Sequence, residues 1–201
     1  MILSRKKMDD EQNQAKLVAY TIILYICSFI APFVLVSSYQ SMVYFSRTYW
    51  FFSTPFSAYI TFMGGMLYIA VIITLYLIFR QKWEGAKFKW ITGFLLLISI
   101  PAFIFSLTNY YYLDDAGIHY NALSGIEEKE YSWEKIDKVH IVYRNHSGTT
   151  GLYQYKFEML DGTLVTIPYD DKLAEHKFKI EEIIKNNKIT VVDNFKNPVV
   201  D

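Results

Sequence analysis

Three stretches without a charged residue, 17–39, 59–79 and 91–108, fill the first half of the chain, and a polar half with alternating apolar positions follows. A helix needs about 20 predominantly apolar residues to cross the hydrocarbon core of a bilayer, so each stretch predicts a membrane-spanning helix. The first run is too long for the apolar part of a secretory signal and no small-x-small cleavage site follows it, which predicts a retained anchor. Pro32 falls late in this run, where a kink is expected. Gly64 and Gly65, preceded by Thr61, offer close helix approach in the second run. None of the three contains Asp, Glu, Lys, Arg or His. Pumps and proton relays need ionisable groups at membrane depth, so the spans read as an anchor or an assembly surface, not a pathway.

From Asn109 onward the apolar period becomes two. Segments 111–113 and 118–123 read as strands around an Asp115-Ala116-Gly117 turn, and 130–133 as a short third strand. Val139, Ile141 and Tyr143 alternate on the next strand, and 144–151 reads as a polar loop. Tyr153, Tyr155, Phe157 and Met159 then share one strand face, Asp161-Gly162 supplies a type I′ turn, and Val165, Ile167 and Tyr169 return. Asp170 and Asp171 offer a cap and an acidic first turn to a helix carrying Leu173, Lys177, Ile180, Ile183 and Ile184. Asn186-Asn187 is its expected stop, with a short strand and a fraying tail beyond. The expected division is an N-terminal segment 1–16, a membrane domain 17–108, a folded module 109–192 and a tail 193–201.

Charge adds a direction to this picture. Residues 1–108 carry nine Lys/Arg against four Asp/Glu, and 109–201 carry eleven against sixteen, so a net charge of zero hides halves of +5 and −5. The acidic second half has no basic stripe, which excludes a nucleic-acid partner held by phosphate contacts. Lys and Arg in the short flanks number four before the first run (Arg5, Lys6, Lys7, Lys16), one after it (Arg47) and four after the second (Arg80, Lys82, Lys87, Lys89). By the positive-inside rule the N-terminus and the second connection are cytoplasmic, and three spans place the module outside the cytoplasm. A third run that re-entered without crossing would leave it in the cytoplasm instead.

The first connection, MVYFSRTYWFFSTP, concentrates six rings: Tyr44, Phe45, Tyr49, Trp50, Phe51 and Phe52. That composition predicts a segment at headgroup level, with a docking surface for a hydrophobic partner or peptide as the sharper alternative. Trp83 and Trp90 bracket the second connection at the two edges of the same interface. Cys27, the single cysteine, excludes an internal disulfide and reads as a small apolar packing residue. His119, His140, His146 and His176 have no metal-ligand spacing and read as surface or half-buried imidazoles, with His119 and His140 on outward strand faces. Asp114-Asp115 and Asp170-Asp171 are explained by turn and cap chemistry, so no catalytic group, metal or cofactor is expected.

The strand leaving the membrane, YYYLDDAGIHY, the EKEYSWEKIDKVHI segment and the FEMLDGTLVTIP hairpin before the last helix resemble bacterial pleckstrin-homology-like (PH-like) domains attached to membrane spans. The resemblance covers about residues 109–190. It implies an α+β barrel of six to seven antiparallel strands with a C-terminal helix, which follows the three expected spans. It further implies a non-enzymatic binding or assembly module in a bacterial cell membrane, with links in some members to envelope stress or bacteriocin self-immunity. An accessory or regulatory subunit of a larger membrane complex is the alternative. Phosphoinositide binding is not expected to transfer, because the first hairpin, LDDAGI, has two acids and no base.

Overall fold

The structure is a computed structural model, describing residues 2–80, 83, 85–123, 125 and 127–200. Lys82 and Glu84 of the second connection therefore lie outside the described residues. The chain divides into two units: 1–45, 54–110 and 121–127 form the first, and 46–53, 111–120 and 128–201 the second.

The first unit is helical. Helix α1 runs Ile2–Val43 and passes Pro32 without interruption, and α2 runs Phe56–Phe79. The third run is divided into α3, Ala86–Leu97, and α4, Ile100–Thr108. Pro101 explains the division: it cannot donate to the carbonyl four residues back and its ring crowds that turn. Ile98 and Ser99 accordingly make tighter bonds, to the carbonyls of Leu95 and Leu96. Three segments, Gln12–Val43, Phe56–Phe79 and Ala86–Thr108, are long and apolar enough to cross a membrane. Cys27 faces outward from the bundle and does not pack inside it.

Polar side chains lock this bundle. Ser106 donates to the carbonyl of Ala58 (2.7 Å), and Tyr68 to that of Leu95 (3.0 Å). A Cβ on Gly65 would press on the Phe103 ring at 3.1 Å, whereas Gly64 faces open space, so only one glycine of the pair serves helix approach. Gln40 is fully buried, and its amide NH₂ donates to the carbonyls of Asn109 (2.8 Å), Ser106 (3.1 Å) and Leu107 (3.3 Å). Its oxygen accepts from Thr54 (2.7 Å). The last carbonyls of a helix have no partner within it, and here one glutamine satisfies two of them.

The second unit is β-rich, with nine strands among the described residues. One sheet holds β1 (Phe51–Ser53), β2 (Tyr110–Leu113), β3 (Gly117–Asn121) and β4 (Lys129–Ser132), in that order. The other runs β7-β6-β5-β8, with β5 Ile136–His146, β6 Thr149–Met159, β7 Leu164–Pro168 and β8 Thr190–Asp193. The short β9, Val199–Val200, also pairs with β5. A cluster of Leu113, Ile118, Val139, Phe157, Ile167 and Leu173 forms the core, joined by Ile180 and Ile184 from the helical segment. That segment comprises α5, Asp171–Glu175, and α6, Lys177–Asn186, and Asp170 caps it by accepting from the Leu173 N–H (2.8 Å).

Four expectations are corrected here. The aromatic connection is partly strand: Phe51, Phe52 and Ser53 pair antiparallel with Leu113, Tyr112 and Tyr111. The module therefore does not begin at 109, because it takes a strand from between the first two spans. The expected loop 144–151 is mostly strand, closed by Ser147 and Gly148 with φ of 51° and 84°, the two positive values a type I′ turn demands. At Asp161-Gly162 only the glycine has positive φ, and Gly162 donates to the Met159 carbonyl, so a type I turn with a following left-handed glycine stands there instead. Finally, not all strands are antiparallel. Both β8 and β9 run parallel to β5, because the helical segment carries the chain back across the sheet before they form.

The buried Phe51 ring gives a direct check on β1. Phe51→Ala is expected to lower the stability of the second unit by about 3–5 kcal/mol, read by chemical denaturation in detergent. A ring lying among headgroups would leave that transition where it was. In the first unit, Gln40→Leu strips partners from buried carbonyls and should cost about 1–3 kcal/mol in thermal unfolding of the helices. An unshifted transition would show that the glutamine is dispensable.

Candidate functional site

The six aromatic residues singled out from the sequence divide between the units. Tyr44 and Phe45 belong to the first, where Tyr44 stacks on Tyr110 at 4.3 Å and Phe45 is exposed. Tyr49, Trp50, Phe51 and Phe52 belong to the second. Phe51 and Phe52 are only 3% and 9% exposed, so neither can form an open partner surface. Strand pairing on one side and side-chain packing on both faces account for that burial.

Tyr49 and Trp50 instead build two polar clusters of the second unit. The Tyr49 ring lies 3.7 Å from that of Tyr112, and Tyr112 lies 4.4 Å from the His119 imidazole at an interplanar angle of 7°. This column of three rings ends on a buried histidine, not the outward-facing one expected. His119 Nε2 donates to Asp114 Oδ1 at 3.1 Å. The same carboxylate oxygen accepts the Ala116 and Gly117 N–H groups, both at 2.9 Å, which holds the β2–β3 turn. On the other edge, Nδ1 faces Glu128 Oε1 at 3.4 Å, within ion-pair distance but without hydrogen-bond geometry. Glu128 accepts the Tyr112 hydroxyl at 2.6 Å. Burial, followed by this bond to Glu128, pushes the Tyr112 hydroxyl well above the ordinary tyrosine range, so it remains a donor. Gly117 is needed in the same turn, since a Cβ there would collide with the Tyr131 carbonyl.

The second cluster gathers around Trp50. Its ring stacks on Trp133 at 6.2 Å, meets His176 at 5.6 Å and lies under the Lys179 ammonium at 5.1 Å. Lys179 also pairs with Asp115 at 2.7 Å, and Trp133 Nε1 donates to the Asp114 carbonyl. Trp50 Nε1 is buried without a hydrogen-bond partner. His140 is half-buried on β5 and pairs with Glu158 at 2.9 Å. Among the described residues no group of three or more His, Cys, Asp or Glu is placed to hold a metal ion. The clusters can orient strands and offer charge to a polar partner. Sequence reading missed them because neither has a local spacing: Tyr49, Tyr112, His119 and Glu128 meet only through the β1–β2–β3 pairing.

Neither a family model nor a curated protein matches the chain. Among solved structures, a chain from the structure of the Spt16D Pob3N heterodimer is similar over 43% of this chain and 46% of its own length, at 12% identity and a TM-score of 0.28. The chain thus spans less than half of that neighbour, and the likeness carries no argument about function.

The His140–Glu158 pair predicts an acid response. The hydrogen bond from His140 is the main cause that holds the Glu158 carboxyl below its ordinary value, with Lys138 adding to it. A depressed carboxyl stabilises the fold fully above the unfolded value of about 4.3, and that contribution disappears as pH falls through the lower folded value. Glu158→Gln should therefore flatten the fall in stability below about pH 4.3, measured by denaturation at a series of pH values. An identical acid slope in wild type and variant would remove Glu158 from the account.

Proposed function

We propose that the chain is a non-enzymatic integral membrane protein that presents a PH-like binding or assembly module at the membrane surface. The observation that carries this reading is the pairing of β1 with β2. Segment 46–53 follows the first candidate span, and 111–113 follow the third, yet both belong to one sheet. They must lie on the same side of any membrane the helices cross. Two complete crossings, by α2 and by α3 with α4, satisfy that condition, and a re-entrant third run does not. The two sheets and the core contributed by α5 and α6 support the PH-like assignment, from which the parallel β8 departs.

The excess of Lys and Arg in the N-terminal segment and second connection favours a cytoplasmic N-terminus and an extracytoplasmic module. The resemblance to PH-like membrane proteins further favours a role in envelope stress or bacteriocin self-immunity in a bacterial cell membrane. The partner would be a protein or peptide.

Cysteine labelling tests this arrangement in a Cys27→Ser background. Thr48→Cys, Lys172→Cys and Lys87→Cys each occupy an exposed position. An impermeant maleimide should label the first two in intact cells and the third only after permeabilisation. Label at Thr48→Cys and Lys172→Cys on opposite sides would overturn the three spans, and the reverse pattern at all three would overturn the orientation.

A further inference from the structure

Strand β4 ends its sheet: among the described residues it pairs with β3 and with no other strand. Successive residues of a strand direct their N–H and C=O groups to opposite neighbours. The Trp133 N–H reaches the Ala116 carbonyl, so counting back along the β3–β4 register turns the backbone groups of Tyr131 and Lys129 towards β3. Those of Glu130 and Ser132 face the outer edge. A cavity of about 390 Å³ lies against that edge, lined by Glu130, Tyr131, Lys135, Met159, Leu160 and Asp161, all of the second unit. Glu130 and Tyr131 are consecutive on β4 and point to opposite faces, so a space that both line lies beside the strand and not over either face. Its far wall is the β6–β7 turn, held there by the Leu160 N–H on the Lys135 carbonyl (2.9 Å).

We infer that the β4 edge takes an extended peptide as an added strand, with a Lys or Arg side chain of that peptide in the cavity, a step that rests on the binding-module reading above. An added strand supplies partners for the edge groups of Glu130 and Ser132. The cavity then selects a side chain. Met159 is buried and Leu160 is 70% exposed, so its apolar lining runs from the interior to the surface and suits a long aliphatic stem. Two carboxylates, Glu130 and Asp161, stand against one ammonium, Lys135. Asp161 is fixed in place by accepting the Thr163 N–H (2.8 Å), and that bond holds its carboxyl below the ordinary range, so it stays anionic. Glu130 is exposed and, among the described residues, enters no ion pair, which leaves its charge for a partner. A cation on an apolar stem matches both features, whereas an acidic side chain would meet like charge.

Fluorescence anisotropy on the full chain in nanodiscs tests the edge, with a short, end-blocked, fluorescein-labelled peptide of alternating threonine and valine that carries a central lysine. Wild type should bind it about tenfold more tightly than the same peptide with a central glutamate. Ser132 has φ of −61° and ψ of 150°, which proline also adopts, so Ser132→Pro removes an edge N–H and leaves the backbone path intact. It should weaken binding by about fivefold, the share of one hydrogen bond. Glu130→Lys, at an exposed position the fold tolerates, should weaken it by about tenfold. Glu182→Lys, exposed on α6 and outside the cavity, should change it by less than about twofold. An equal loss from Glu182→Lys would mean diffuse acidic charge and would overturn the site. Unchanged binding to Ser132→Pro would overturn strand addition. A chain that inserts into the bilayer but binds neither peptide, or both equally, defeats this inference alone. One that fails to insert defeats the membrane reading instead.

Discussion

The second unit depends on three backbone pairings that bring Phe51, Phe52 and Ser53 alongside Leu113, Tyr112 and Tyr111. A strand of three residues is marginal by itself, and its N–H and C=O groups need partners once water is excluded. β2 supplies them, and the Phe51 ring closes the core beneath. The segment connecting two candidate spans thus becomes part of a sheet whose other strands are far along the chain. The pairing thus joins the segment after the first candidate span to the segment after the third.

The exit from the helices is controlled by a second long-range contact, that of Gln40. A helix that ends inside an apolar environment exposes carbonyls that nothing nearby can satisfy. Ser106 and Leu107 are in that position at the end of α4, and the Gln40 amide reaches both of them as well as Asn109. Asn109 in turn donates to Ser57 Oγ at 2.8 Å, which ties the start of α2 to the same network. The polar residues where the helices end are thus engaged in specifying one geometry, the use of buried polar groups best attested elsewhere.

What the sequence disclosed follows the physical range of each signal. Charge-free runs and the alternation from Tyr153 to Met159 are local, and they lead directly to the candidate spans and to β6. The six-ring connection is ambiguous for a stated reason. A strand buried on both faces reads as a continuous apolar run, and so does an interfacial belt. Burial of all four β2 residues carries the same signature. Only a pairing partner some sixty residues away reveals the strand. His119 was equally opaque, because no spacing announces that Asp114 and Glu128 will flank its ring. The short strand expected after the helix is β8, but its parallel direction and β9 escaped for the opposite reason: these residues are exposed and carry no alternation, and only β5 defines their pairing.

The hydroxyls of the helical unit are mostly spent within it. Thr21 donates to Leu17, Ser28 to Tyr25, Thr92 to Phe88 and Ser99 to Leu96, each within its own stretch of chain. Thr74 donates to the Ala70 carbonyl, which leaves its oxygen to accept from Tyr25 on the neighbouring helix (3.2 Å). A hydroxyl bonded back to a carbonyl three or four residues earlier has its donor satisfied in hydrocarbon. Ser106 completes the pattern by donating across to Ala58. These six groups join helix to helix or close on their own backbone. Imidazoles, carboxylates and stacked rings converge instead in the β-rich unit, around His119 and Trp50.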